Sequence, residues 1–167
     1  MRSLSAVSGK DISCRRIGAG DRRFLEGLFT SARERMFAGS DIPAAMKERI
    51  LQQQFAAQHE SYHAQHPHAD YELILIGGAP AGRIYVDRGE EGIDLMEITL
   101  LPEHRNRGIG TLMVRKLQEE AVAAGKPIRL FVEHWNPEAR RLYERLGFRE
   151  TEDIGTHWKM AWEAGQS

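Results

Sequence analysis

Apolar and polar positions along the chain fall into segments of two periods. Phe24, Leu25, Leu28, Phe29, Ala32 and Met36 recur at helical spacing and predict a first helix, with Asp21 as its N-cap and Gly39 as its end. A short strand from Ile12 to Ile17 precedes it, broken by Gly18-Ala19-Gly20. A second helix opens after Asp41 and Pro43, carries Leu51, Phe55 and Tyr62 on one face and glutamines on the other, and ends near His66-Pro67. From Tyr71 the period shortens. Leu73 to Ile76 and Arg83 to Val86 read as a hairpin, with turn chemistry from Gly77 to Gly82. Ile93 to Leu101 then sets Ile93, Leu95, Glu97 and Thr99 against Asp94, Met96, Ile98 and Leu100, the alternation of a central strand.

Pro102 stops that strand. Gly108 to Ala124 predicts a helix with Leu112, Met113, Leu117 and Ala121 at helical spacing, closed by Gly125. Ile128 to Trp135 reads as a strand. Pro137 opens a helix with Ala139, Leu142, Tyr143 and Leu146 inward and Gly147 as its stop, and Arg149 to Thr156 with His157 to Trp162 make a closing antiparallel pair. The 167 residues suit one core, so the expectation is a single domain over 11–163, with a flexible extension over 1–10 and a tail over 164–167.

Composition removes several function classes. Lys and Arg total 23 against 24 Asp and Glu, for a net charge of -1, and aromatics are 8% of residues, which does not mark a nucleic-acid partner. Met1 to Lys10 lacks the apolar run of a secretory leader, and no run approaches the ~20 apolar residues of a membrane span. Cys14 is the only cysteine, so no disulfide forms within the chain and a reducing, cytoplasmic location is expected. Beside Arg15 and Arg16, it reads as an ordinary half-buried thiol.

Candidate chemistry is concentrated where the central strand meets the helix after it. Arg105-Asn106-Arg107-Gly108-Ile109-Gly110, with Thr111 entering the helix, combines two glycines, free first-turn amides, the positive end of the helix dipole and two arginines. This combination suits an anion, and a pyrophosphate better than one carboxylate. The alternative is a glycine-shaped turn with solvated arginines. Met113 stands where a dinucleotide fingerprint needs glycine, and no Gly-Lys-Ser/Thr is present, so Rossmann and P-loop readings fall away.

The same run resembles the motif of the GCN5-related N-acetyltransferase (GNAT) superfamily: Arg or Gln, two residues, Gly, one residue, Gly or Ala, after the fourth strand. A second block, Asn136, Ala139, Leu142-Tyr143 and Leu146-Gly147-Phe148, is similar to that family's downstream motif. The resemblance covers nearly the whole chain apart from Met1 to Lys10, though the first third carries little signature. It implies an α+β fold, with a mixed, mostly antiparallel central sheet of about six to seven strands flanked by about four helices. It also implies acetyl transfer from acetyl-coenzyme A to a primary amine of a small molecule or peptide, with no metal, and pairing of two copies through the last strands. Main-chain groups of Ile98, Thr99 and Leu100 would hold the pantetheine arm like an added strand. Amides from Asn106 to Thr111 would hold the pyrophosphate. Asn136 would reach the arm, although its place before Pro137 also suits an N-cap.

Amine acetylation needs a base for an ammonium of pKa ~10, stabilisation of an oxyanion, and a proton for a thiolate whose thiol has pKa ~8.5. The resemblance makes Tyr143 the acid; on residues alone it is a core tyrosine. Glu97, an inward carboxylate in an apolar strand, is the candidate base, directly or through water, or else the ion-pair partner of Arg83. Many relatives carry a carboxylate five residues before the asparagine, where this chain has Phe131, so Glu133 and His134 also stay open. A coenzyme-A-binding module without catalysis is the alternative function. A remoter one is a zinc hydrolase, since His59-Glu60-Ser61-Tyr62-His63 spells H-E-x-x-H, yet its glutamine-rich flanks offer no walled cleft. Arg33, Arg35 and the histidines of the second helix read as a solvated helix face, with recognition of an acidic acceptor as the alternative, and Trp135, Trp158 and Trp162 as filling the end of the sheet, with an acceptor pocket as the alternative.

Overall fold

The alternating segments assemble into one seven-stranded sheet in a computed structural model that describes residues 11–165. The expected extension over 1–10 and the last two residues of the tail lie outside the described residues. In chain order the strands are β1 (Ile12–Arg16), β2 (Asp70–Ile76), β3 (Ala79–Arg88), β4 (Ile93–Leu100), β5 (Ile128–Glu133), β6 (Arg149–Asp153) and β7 (His157–Trp162). The helices are α1 (Arg22–Arg33), α2 (Ala44–Gln65), α3 (Ile109–Ala124) and α4 (Pro137–Arg145). The sheet order is β1-β2-β3-β4-β5-β7-β6, antiparallel throughout except for the parallel pair β4–β5. This is the α+β class expected.

Each sheet face has its own core. Leu25 and Phe29 of α1 and Leu51 and Phe55 of α2 close over Leu73 on one face. On the other, Met113, Val114, Leu117 and Ala121 of α3 pack with Ile74, Ile84, Val86, Ile93, Leu95, Leu130 and Met160, joined by Tyr143 and Phe148. Full burial of each such side chain contributes roughly 1.5–3 kcal/mol. The end of α2 is fixed by Tyr71, whose hydroxyl lies 2.9 Å and 2.8 Å from the carbonyl oxygens of Tyr62 and His66.

Several boundaries differ from the expectation for local reasons. Asp21 does not cap α1 through its side chain. The carboxylate turns back to the Gly18 amide at 2.8 Å and the Arg15 guanidinium, within a 3-10 turn. Helix α1 stops at Arg33 and passes into a 3-10 turn over Glu34–Phe37 before Gly39. In the hairpin the turn is only Gly77-Gly78, both at positive φ (57° and 83°), so β3 begins at Ala79. Cys14 is exposed on the edge strand β1 rather than half-buried.

The difference that matters most lies in β4. Tyr85 pairs with Glu97 but Val86 pairs with Leu95, so Met96 is an extra residue, a β-bulge. The simple alternation therefore breaks at Met96. Ile93 and Leu95 face the α3 side, and beyond the bulge it is Ile98 and Leu100 that do so, while Glu97 and Thr99 turn to the α1–α2 side with Arg83 and Tyr85. The parallel ladder with β5 also ends there. It joins Ile93 to Ile128, Asp94 to Arg129 and Leu95 to Leu130, after which β4 has a partner only in β3.

Candidate active site

The parting of β4 and β5 leaves a cavity of about 770 Å³ lined from both faces of the sheet. Its walls include Glu97, Ile98, Thr99 and Leu100 of β4, Phe131 and Glu133 of β5, and Asn136 and Tyr143 at and within α4. Ile98, Thr99 and Leu100 border it with no strand on that side, as an added strand would require. Gly82 of β3 lets this edge lie close: a Cβ there would come within 2.2 Å of the Thr99 carbonyl oxygen.

One end is the glycine turn. Gly108 sits before α3 at φ +80°, and Asn106 at +58° is the only non-glycine with positive φ among the described residues. The first main-chain bond into the helix runs from the Leu112 N–H to the Gly108 carbonyl at 3.0 Å, so the amides of Ile109, Gly110 and Thr111 are its orphan donors. Left-handed residues alternating with right-handed ones, with free amides between them, are the backbone pattern of an anion-binding concavity, and Asn106 and Gly108 flank Arg107 in this way. Arg105, Asn106, Gly108, Ile109, Gly110 and Thr111 line the cavity, and Arg107 does not. The Arg105 Nε donates to the Leu100 carbonyl at 3.1 Å, and burial, then the nearby Arg35, pulls Arg105 below the usual arginine range.

The other end collects titratable groups. The Glu97 Oε1 accepts from Thr99 Oγ1 at 2.9 Å and stands 3.5 Å from Arg83 Nη2; Tyr62 donates to Oε2 at 3.2 Å. Glu97 therefore borders the cavity and is also the ion-pair partner of Arg83. The Arg83 guanidinium is buried, with Gln58 Oε1 at 3.0 Å and Tyr85 Oη at 3.2 Å as further partners. Glu133 has fewer partners: Arg33 Nη2 is 3.8 Å away, and burial, then the charge of Glu97, raises its carboxyl above the ordinary glutamate value. Tyr143 is 6% exposed, packed edge-on to Phe148, and its phenol is pushed up by burial and then by Glu97 and Glu133.

The remaining sequence candidates separate. Asn136 caps α4, its Oδ1 accepting from the Ala139 amide at 3.3 Å, and also borders the cavity. His134 stacks on Trp158 and pairs with Asp153 at 2.8 Å, outside the cavity lining. The rings of His59 and His63 lie between Phe55 and Tyr71 in one stack, with centroid spacings of 5.7, 4.5 and 4.1 Å. Among the described residues no group of three or more His, Cys, Asp or Glu is arranged to hold a metal.

Two readings of surface residues are corrected. Arg33 is not on a solvated face: it is 7% exposed, and its position four residues after Phe29 continued the apolar stripe. Trp135, for which filling the end of the sheet is the favoured reading and a pocket the alternative, lines the cavity beside it. Tyr62 likewise reaches the cavity from the core face of α2, seven residues beyond Phe55.

A family model described as the Acetyltransferase (GNAT) family matches residues 21–148. Thialysine N-epsilon-acetyltransferases of Sus scrofa and Bos taurus are 35% and 34% identical over 98 residues, covering 52% of this chain and 58% of each relative. The chain thus spans little more than half the length of the curated relatives it matches. Among solved structures, the PaiA N-acetyltransferase of Thermoplasma acidophilum in complex with coenzyme A superposes with a TM-score of 0.70 at 17% identity, over 91% of this chain and 98% of that one. Spermidine N-acetyltransferase of Vibrio cholerae in complex with CoA and spermine gives 0.61 at 20% identity, over 94% and 98%. At these identities the structural likeness is one of fold. Because the matched span takes in both the glycine turn and the Asn136-to-Phe148 block, the chain belongs to the acetyltransferase (GNAT) family.

Proposed function

We propose that this protein transfers the acetyl group of acetyl-coenzyme A to a primary amine of a small molecule or peptide. One observation carries the reading: a single cavity has the free first-turn amides of α3 at one end and two carboxylates with a buried phenol at the other, along an unpaired strand edge. The pyrophosphate is held by amides from Asn106 to Thr111, assisted by Arg105, while Arg107, outside the cavity lining, adds positive potential only. The pantetheine arm pairs with Ile98, Thr99 and Leu100, and Asn136 and Tyr143 border it near the thioester. Relatives named for thialysine and a neighbour solved with spermine support an amine acceptor.

In the reaction the amine nitrogen forms a bond to the thioester carbonyl carbon and the carbon–sulfur bond breaks. The acceptor's ammonium gives up one proton to a carboxylate, directly or through water, and the second proton that nitrogen loses as the amide forms ends on sulfur, so the coenzyme leaves as its thiol. Glu97 takes two hydrogen bonds and the Arg83 ion pair and is held in place, whereas Glu133 has fewer partners and a carboxyl raised above the ordinary glutamate value, the direction a base needs. The two form the basic end, with Glu97 as the fixed charge and Glu133 as the freer acceptor. Tyr143 is held above the thiol's ~8.5. It stays protonated and donates a hydrogen bond to sulfur as negative charge develops there.

The test is release of free thiol from acetyl-coenzyme A over a panel of amines, beside calorimetry with coenzyme A. Expected is acceptor-dependent thiol release and saturable binding. Binding without release for any amine would favour the non-catalytic module, and no binding at millimolar ligand would remove both.

A further inference from the structure

We infer that the acceptor carries an anionic carboxylate close to its reacting amine, and that Arg33 recognises it, so that the substrate is a free amino acid rather than a simple amine or polyamine; this rests on the acetyl-transfer reading above.

Arg33 has unused binding capacity. Its side chain is 8% exposed, yet the guanidinium makes no hydrogen bond among the described residues, and its one ion pair, to Glu133 Oε1 at 3.8 Å, is beyond hydrogen-bond length. A guanidinium has five N–H donors, and no Arg33 nitrogen is among the sealed atoms that lack a partner, so its unmet donors reach open space. The other buried arginine, Arg83, has Gln58, Tyr85 and Glu97 around it and only its Nε sealed without a partner. Arg33 lines the cavity, so its free donors open onto the space where the acceptor must lie.

Its neighbours fix how it is presented. The guanidinium carbon is 3.6 Å from the Phe29 ring centroid and 5.7 Å from that of Trp135. Packing of its face against Phe29 leaves the in-plane edge, where the N–H groups lie, as the part that can meet a ligand. That edge matches a carboxylate in the two-bond, coplanar manner. Glu133 is the nearest acid and Glu97 also acts on the Arg33 charge. The cation and the proton-accepting carboxylates are thus immediate neighbours, and the ligand that satisfies both has an ammonium and a carboxylate a few bonds apart. A polyamine would place a second cation toward Arg33 and be repelled.

The experiment pairs each amino acid with the amine left when its carboxylate is removed, such as lysine with cadaverine and alanine with ethylamine. Wild type, Arg33→Gln and Arg33→Lys are compared for kcat/KM, and binding of the acceptors alone is followed by NMR titration. Wild type should favour the amino acid of at least one pair by roughly tenfold to a hundredfold, the range of a charge-assisted hydrogen-bonded contact. Arg33→Gln should lower kcat/KM for that amino acid far more than for its amine, and Arg33→Lys should recover only part, while coenzyme A binding and the melting transition show that both variants are folded. Equal use of both members of every pair by wild type, a better amine than amino acid, or an equal loss on both in Arg33→Gln would overturn the inference and leave acetyl transfer standing. If no acceptor is turned over, the titration decides: binding of amino acids but not their amines to wild type, lost in Arg33→Gln, upholds the carboxylate site, and its absence overturns it.

Discussion

Arg83 Nη2 stands 3.5 Å from Glu97 Oε1 across the β3–β4 ladder, the two side chains brought to one face of the sheet by the bulge at Met96. The arginine is almost wholly buried and the glutamate is 14% exposed, so each depends on the other as a counter-charge. The arrangement fixes a carboxylate at the cavity without leaving a lone charge in the core.

Removal of the cation from this pair should therefore be more damaging than its place away from the cavity implies. Arg83→Leu is expected to cost about 3 kcal/mol or more, since it leaves a carboxylate among buried groups without its partner. Urea unfolding at pH 7 measures this; a loss below ~1 kcal/mol would mean the pair contributes little.

Gly82 tests the strand edge. An added Cβ would meet the Thr99 carbonyl oxygen at 2.2 Å and Leu100 Cδ2 at 2.8 Å, and backbone cannot swing aside as a side-chain tip does. Gly82→Ala should displace β4 at 99–100, destabilise the fold by roughly 1–3 kcal/mol as overpacking does, and weaken coenzyme A binding in calorimetry. Unchanged coenzyme affinity in a destabilised variant would separate this edge from the pantetheine arm.

Tyr143→Phe removes one oxygen from a site that is otherwise apolar on the Phe148 side. The expected result is a fall in kcat of roughly a hundredfold with coenzyme binding retained. Turnover equal to wild type would take Tyr143 out of the reaction.

The two carboxylates predict a pH dependence with a definite sign. Burial and Glu97 raise the Glu133 carboxyl, and only the ionised form accepts a proton. The rate should thus rise with pH through that raised value, above the ordinary glutamate range, and fall away on the acid side. Glu133→Gln should abolish this limb of the kcat/KM profile, whereas Glu97→Gln should lower the rate and shift the limb to lower pH by removing the neighbouring negative charge. A limb that survives unchanged in Glu133→Gln would transfer the base role to Glu97 or to water.

Much of the fold was legible in the pattern alone. Apolar periodicity located all four helices and the strands, and Gly125, Gly147 and Pro137 marked the helix limits, because these signals are written within a few neighbouring residues. The glycine turn before α3 was legible for the same reason: glycines at fixed spacing before a helix act locally. The bulge at Met96 was not, since the alternation of β4 runs unbroken in sequence and the extra residue shows only against the partner strand β3. Nor was the burial of Arg33, a cation that follows an apolar stripe by one helical turn and is desolvated only when Phe29, Trp135 and Glu133 close around it.

By itself, then, the sequence determined the elements, their order and the chemistry of the glycine turn, all products of short-range backbone and side-chain preferences. The tertiary structure alone decided where β4 and β5 part, which face Glu97 looks toward, and that Glu133, Tyr143 and Arg33 share one cavity. Those relations join residues tens of positions apart, and desolvation and charge coupling between them exist only once the chain has brought them together.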